Sequence, residues 1–221
     1  MNRDGARDEK TGHNTYMVMS FFDRQREIVK EMGYDPNRLP PGQYITDRFP
    51  VLHVGDVPTY KEGEWSLKVG GLVDNEFVMT YDDLLAMPSI TMTVDIHCVT
   101  KWSQFDMTWR GVRVRDILQR AGIQPNATHF MGHAEFGYTA NLPLEDVMGD
   151  NAIVAYEYEG EPLEPIHGGP VRLVVPHLYF WKSPKWLRGM ELRDSDEPGF
   201  WERNGYHMYG DPFQEQRFWG D

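Results

Sequence analysis

The chain has 221 residues, 40% of them hydrophobic and 25% charged, with a formal net charge of −12. A chain of that length buries roughly three quarters of its unfolded surface without disulfide staples, and one this acidic repels phosphate backbones, which argues against a general nucleic-acid role. A single cysteine excludes an intrachain disulfide, and no stretch approaches the ~18 uninterrupted apolar residues of a membrane span.

Residues 1–15 are polar and read as a disordered tail. Their early acidic residues, and the want of an apolar core of about 7–15 residues, argue against an export signal. The cytoplasm is therefore the simplest setting. A short amphipathic helix is predicted from Ser20 to Met32, with Ser20 as its cap, Asp23 three residues on and Gly33 past its end. Residues 1–40 are assigned to this tail and helix, and 41–221 to the main domain. The segment LPPGQYITDRFPVLHVGDVP carries too much Pro and Gly for regular structure and is predicted to lie extended over something else.

From Trp65 the pattern becomes strand-like. WSLKVGGLV and EFVMTY form a strand and its return, Thr80 can cap the short helix YDDLLAM, and Pro88 closes that helix from outside. TMTVDIHC alternates, placing Met92, Val94, Ile96 and Cys98 on one face and Thr91, Thr93, Asp95 and His97 on the other. GVRVRDILQRAG reads as strand into helix with Gly122 at the C-cap. ATHFMGHAEFGYTANLPLEDVMG is a strand pair and a helical turn, and AIVAYEYEGEPL is a hairpin with Glu159-Gly160 at its tip. HGGPVRLVVP is a glycine turn into a buried strand. This order predicts one mixed α+β domain in which strands dominate.

Cys98 stands out as the only thiol. Taken alone it is a small hydrophobe on the inward face of a strand. Beside it lie His97 and, just beyond, Lys101. Nearby positive charge lowers a thiol's pKa and favours thiolate, the form that binds metal or attacks carbon. A cysteine hydrolase would need a base and an orienting group at the thiol. A zinc site would want three or four ligands, and His97 and Cys98 point to opposite strand faces.

A second constellation is HGGPVRLVVPHLYFWKSPKWLRGMEL, which gathers Lys182, Lys185, Arg188 and Arg193, with Arg172 one strand away. Gly168 and Gly169 let backbone approach a ligand, and SPKW offers N–H groups and a cation for a phosphate. The plain alternative is a solvated face. The aromatic residues from Phe180 to Trp219 are explained by core packing or a subunit interface.

DIHCVTKWSQFDMTWRGVRVRDIL together with HGGPVRLVVPHLYFWKSPKWLRGMEL resembles the molybdopterin-binding domain of sulfite oxidases and of the protein-methionine-sulfoxide reductase catalytic subunit, from about Arg48 onward. The resemblance implies the sulfite-oxidase molybdopterin-binding fold, with mixed β-sheets and short helices. It also implies a molybdenum–molybdopterin cofactor and two-electron oxygen-atom transfer on a small substrate of the S- or N-oxide type. A separate protein would donate or accept the electrons.

By the same resemblance Cys98 is the catalytic metal ligand, and His167 and Arg172 contact the pterin. Ser183, Pro184 and Lys185 cradle its phosphate, and His133 makes another cofactor contact. Arg48 and Val51 lie where an early extended segment crosses the cofactor. Sulfite oxidases carry arginines soon after the cysteine, whereas VTKWS supplies Lys101 and Trp102, which argues against sulfite as substrate. His97, Lys101 and Trp102 are candidates to shape the substrate pocket. An accessory subunit without its own substrate is the alternative, expected if Phe180 and Trp181 close the pocket.

Overall fold

The computed structural model describes residues 21–61 and 63–221. The polar tail and the expected Ser20 cap lie outside these residues. The predicted first helix is present as α1 (Phe21–Glu31), which docks on β1 (Tyr44–Ile45) through Gln25 Oε1, an acceptor for the Ile45 N–H at 3.3 Å.

The alternation read from Trp65 onward becomes two β-sheets. One holds β2 (Ser66–Gly71), β3 (Phe77–Thr80), β6 (His129–Ala134), β7 (Thr139–Pro143) and β11 (Leu187–Arg193), in the order β3-β2-β11-β6-β7. The other is built on the long strand β5 (Trp102–Arg113). β4 (Ile90–His97) pairs antiparallel with β5, and β1 pairs parallel with its first two residues. β8 (Ile153–Tyr158) continues this sheet to β10 (Arg172–Val174), with the short β9 (Glu161–Pro162) alongside β8.

Helices only decorate this frame. α2 (Tyr81–Leu85) starts at a complete capping box between Thr80 and Asp83, and α3 (Val114–Ala121) ends at Gly122. In α3, Val114, Ile117, Leu118 and Ala121 fall at helical spacing and all are buried. α4 (Leu144–Met148) is the expected single turn after β7.

Two apolar cores follow. The larger joins Leu67, Val69, Phe130 and Met190 of the first sheet to Val112, Val154 and Leu173 of the second, with α3 against them. The smaller lies on the opposite face of the β5 sheet, where Ile96, Trp109, Ile153 and Val174 meet Trp102, Tyr179 and Phe180. Strand residues of period two thus bury both faces of that sheet. The α+β architecture expected from the sequence is what forms.

Candidate cofactor site

Cys98 sits at the tip of the β4–β5 hairpin. The Cys98 carbonyl accepts from Lys101 N at 2.9 Å and the Cys98 N–H donates to Trp102 O at 2.9 Å, closing a tight turn. Lys101 holds that turn at φ 77°, in the left-handed region. The buried Gln43 side chain donates to the Cys98 carbonyl at 3.2 Å, and Tyr44 N donates to Lys101 O at 2.8 Å, so Gln43 and the start of β1 brace the turn.

The thiol is 8% exposed and opens into a cavity of about 350 Å³. Burial pushes its pKa up, and hydrogen bonding from Thr100, whose Oγ1 lies 3.2 Å from Sγ, offsets part of that. The cations expected to depress the thiol do not do so. His97 is buried and bonded through Nδ1 to Ser103 Oγ at 2.8 Å, and desolvation pulls it down to about 4, so it is neutral. Lys101 is exposed and stands over the Phe22 ring. Neither lines the cavity, whereas Trp102 does.

Two cations do face the cavity. Arg172, 1% exposed, donates only to main-chain carbonyls, of His167 at 2.8 Å, Ser183 at 2.9 Å and Leu173 at 3.4 Å. Its guanidinium lies 4.0 Å above the Phe180 ring, and burial pulls it down to about 9. Lys185 Nζ donates to Ile166 O at 2.7 Å, and burial with the Arg172 charge lowers it to about 7. Neither makes an ion pair among the described residues. Ser183 and Pro184 complete this end of the lining.

The rest of the expected basic cluster disperses. Lys182 turns inward to Glu202 and is fully buried, Arg193 pairs with Glu191 and Glu197, and Arg188 pairs with Glu135. Much of the remaining lining is aromatic, with Tyr138, Phe180, Trp181, Trp186, Trp201 and Tyr206, and it also holds Glu135, which pairs with Arg188. Rings assigned from sequence to packing or an interface therefore form much of the cavity.

Residues 54–201 match the family described as oxidoreductase molybdopterin binding domain. The chain is 52% identical to the uncharacterized oxidoreductase YuiH of Bacillus subtilis, over 83% of this chain and 93% of that one. The chain belongs to the molybdopterin-binding oxidoreductases. Its relatives there include a mitochondrial sulfite oxidase. It is also similar to the protein-methionine-sulfoxide reductase catalytic subunit MsrP of Gluconobacter oxydans, with 28% identity over 69% of this chain and 54% of that one. Among solved structures, the sulfane dehydrogenase SoxCD of Paracoccus pantotrophus superposes with a TM-score of 0.60 and 26% identity, over 67% of this chain and 42% of its own. The chain thus spans about half the length of those last two proteins.

The cofactor of this family is molybdenum–molybdopterin, and the cavity fits it. A buried Arg172 and a half-buried Lys185, neither with an acidic partner among the described residues, are costly unless an anion joins them, and a soft thiol is a suitable molybdenum ligand. The buried His167 Nδ1 has no hydrogen-bond partner. The structure brings Cys98, Arg172, Ser183, Pro184 and Lys185 to one cavity. His167 stands behind that lining, its ring stacked 4.1 Å from Phe49 and its carbonyl on Arg172.

The other expected residues lie elsewhere. His133 pairs with Glu191 at 2.7 Å, outside the lining. Residues of the extended segment do form one wall, but these are Pro50, Leu52, His53 and Val54 rather than Arg48 and Val51. Val51 points to solvent, and the Arg48 N–H is turned to Thr46 Oγ1 at 3.1 Å. Tyr138 was not singled out by its sequence neighbourhood, although EFGYT places it beside the second motif's partner strand.

Proposed function

We propose that this chain is a molybdenum–molybdopterin oxidoreductase that removes an oxygen atom from a small S-oxide or N-oxide. The observation that carries this reading is one cavity holding the only thiol, a buried arginine and a half-buried lysine that make no ion pair among the described residues, and a wall of aromatic rings. Arg172 and Lys185 would hold the pterin's anionic groups, with Ser183 and Pro184 beside them. Cys98 would give up its Sγ proton on binding the metal, a loss that Thr100's hydrogen bond favours. When bound, the cofactor supplies two-electron redox chemistry at molybdenum.

Reduction of an S-oxide takes two electrons and two protons and releases a thioether and water. A separate carrier protein would provide the electrons. The aromatic walls exclude water and suit a polarizable sulfur. Val99, Thr100 and Trp102, the lining residues nearest Cys98 in sequence, bear no charge, which favours an uncharged oxide over sulfite. Phe180 and Trp181 line the cavity without filling it, which supports an enzyme over a substrate-free accessory subunit. We assign the catalytic unit to residues 41–221 and place the protein in the cytoplasm.

Elemental mass spectrometry on protein from a pterin-competent host is the test, with Cys98→Ala alongside. About one molybdenum per chain is expected in the wild type, with loss in the variant, together with turnover of dimethyl sulfoxide or trimethylamine N-oxide by dye-reduced enzyme. A Cys98→Ser variant with full turnover would sink the ligand assignment. A loaded wild type that turns over neither oxide would sink the substrate assignment.

A further inference from the structure

Lys182 and Glu202 form an ion pair of 2.6 Å, and their side chains are 1% and 0% exposed. Such a pair is expensive. Two charges leave water, and apolar residues of similar size commonly do as well or better for stability. Its surroundings show what it does hold. Lys182 Nζ is fixed by Asn141 O and Asn141 Oδ1, both at 2.9 Å, and by Met208 O at 2.5 Å. Glu202 Oε1, fixed in turn by Lys182, accepts the indole N–H of Trp181 at 2.7 Å. Trp181 is a wall residue of the cavity.

The rest of Trp181 is held as closely. Its carbonyl accepts the Tyr138 hydroxyl at 2.6 Å. Its ring stacks on Tyr179 at 5.2 Å and meets Tyr206 edge-on at 5.1 Å. Gly210, at φ 88°, leaves room for it, since a Cβ there would lie 2.7 Å from Trp181 Cζ2. Tyr138 and Tyr206 line the same cavity as Cys98. One side chain, with no charge of its own, thus has a buried ion pair, a tyrosine and two ring contacts fixing its pose.

We propose that Glu202 and Lys182 are positioning residues that act through Trp181, locking its indole as the rigid wall against which the substrate is set beside Cys98. The substrate half of this statement rests on the function proposed above, and the wall half does not. An indole freed from its acceptor rotates, the wall loosens, and reagents reach the thiol more readily. A substrate is then held less well, which raises KM more than it lowers kcat.

Because Cys98 is the only cysteine, its alkylation by iodoacetamide in the full chain from a pterin-deficient host reads the wall without metal or substrate. The informative variants replace the pair together, so that no charge is left buried alone. K182M/E202L removes the indole's acceptor. K182M/E202Q keeps an oxygen for it. Trp181→Phe removes the N–H together with the pyrrole half of the ring and leaves the ion pair intact, so it tests whether this side chain is the wall if the double variants fold poorly.

K182M/E202L and Trp181→Phe are expected to alkylate about tenfold faster than wild type in the absence of urea, an amount equivalent to one lost hydrogen bond. K182M/E202Q should return towards the wild-type rate. In holoenzyme with unchanged molybdenum content, the same two fast variants should show a raised KM for dimethyl sulfoxide and near-normal kcat. Alkylation rates equal to wild type in all three variants, with only Tm altered, would overturn the proposal and leave the pair a structural strut. So would equal acceleration in both double variants, because the acceptor oxygen would then be irrelevant. Failure of wild-type holoenzyme to reduce the oxide would defeat the function proposed above, while the alkylation rates would still decide the wall.

Discussion

At Lys185 burial acts first and the Arg172 charge second, and together they lower its pKa to about 7. A lysine with a lowered pKa is charged below that value and neutral above it. An anionic ligand needs the charged form, so binding above pH 7 must take up a proton. A phosphate monoester is already doubly charged above about pH 6, so its own titration does not mask the effect. Cofactor uptake by the apo-chain should weaken by roughly tenfold between pH 7 and pH 8.5. Lys185→Met should bind more weakly at pH 7 and show little further loss. Equilibrium uptake measured across this range checks both, and a flat wild-type profile would remove Lys185 from the phosphate cradle. The same physics explains why Lys182, three residues away, plays no such part, since Glu202 and three oxygens from Asn141 and Met208 already satisfy it.

Among the elements, β5 shows how closely the sheet that carries Cys98 is built. At Gly111 the pairing with β8 shifts register, and an added Cβ would lie 2.2 Å from Val154 O and 2.7 Å from Ala155 Cα. Both are main-chain atoms that cannot step aside, so Gly111→Ala should cost about 3 kcal/mol or more in urea unfolding. Gly160, at φ 83° with nothing within 4 Å, pays only backbone strain, and Gly160→Ala should cost about 1–2 kcal/mol. Near-equal costs would mean that β5 and β8 have freedom to separate.

Local signals of this kind made most elements legible in the sequence. The Thr80 cap, the Gly122 C-cap and the Glu159-Gly160 tip, at φ 50° and 83°, all form as read, and Asp83 completes the Thr80 cap as a capping box. The alternation read in TMTVDIHC holds, since Met92, Val94, Ile96 and Cys98 pack in one cluster and the register shift opposite Val94 and Ile96 falls on β5. His97 therefore stays on the other face, buried on Ser103 of β5 rather than lining the cavity, and no residue type in TMTVDIHC announces that this second face is also covered. Lys182 leaves the expected basic cluster because its acceptors, on Glu202, Met208 and Asn141, come from 20 to 41 residues away in the chain. The aromatic wall was visible as composition only, since packing and lining draw on the same residue types.

Across the whole molecule, the cavity is lined from both sheets. Cys98 and Trp102 belong to the tip of the β4–β5 hairpin and Arg172 opens β10, whereas Glu135 and Tyr138 join β6 to β7 and Trp186 leads into β11. Leu52 and Val54 close it from the extended segment and Trp201 and Tyr206 from beyond β11. A ligand held there contacts parts of the chain more than 150 residues apart, so its binding energy opposes unfolding of the molecule rather than of one hairpin. Ligand at 100 to 1,000 times its Kd adds about 2.7–4.1 kcal/mol. At about 2–4 °C per kcal/mol for a chain of this size, molybdopterin-loaded protein should melt roughly 5–15 °C above the apo-chain. Tryptophan fluorescence, which reports the cavity wall, and far-ultraviolet circular dichroism, which reports the sheets, should move together. Coincident melting of loaded and apo protein would mean that the cofactor lies outside this cavity. A shift seen by fluorescence alone would mean that it is held by the wall without joining the two sheets.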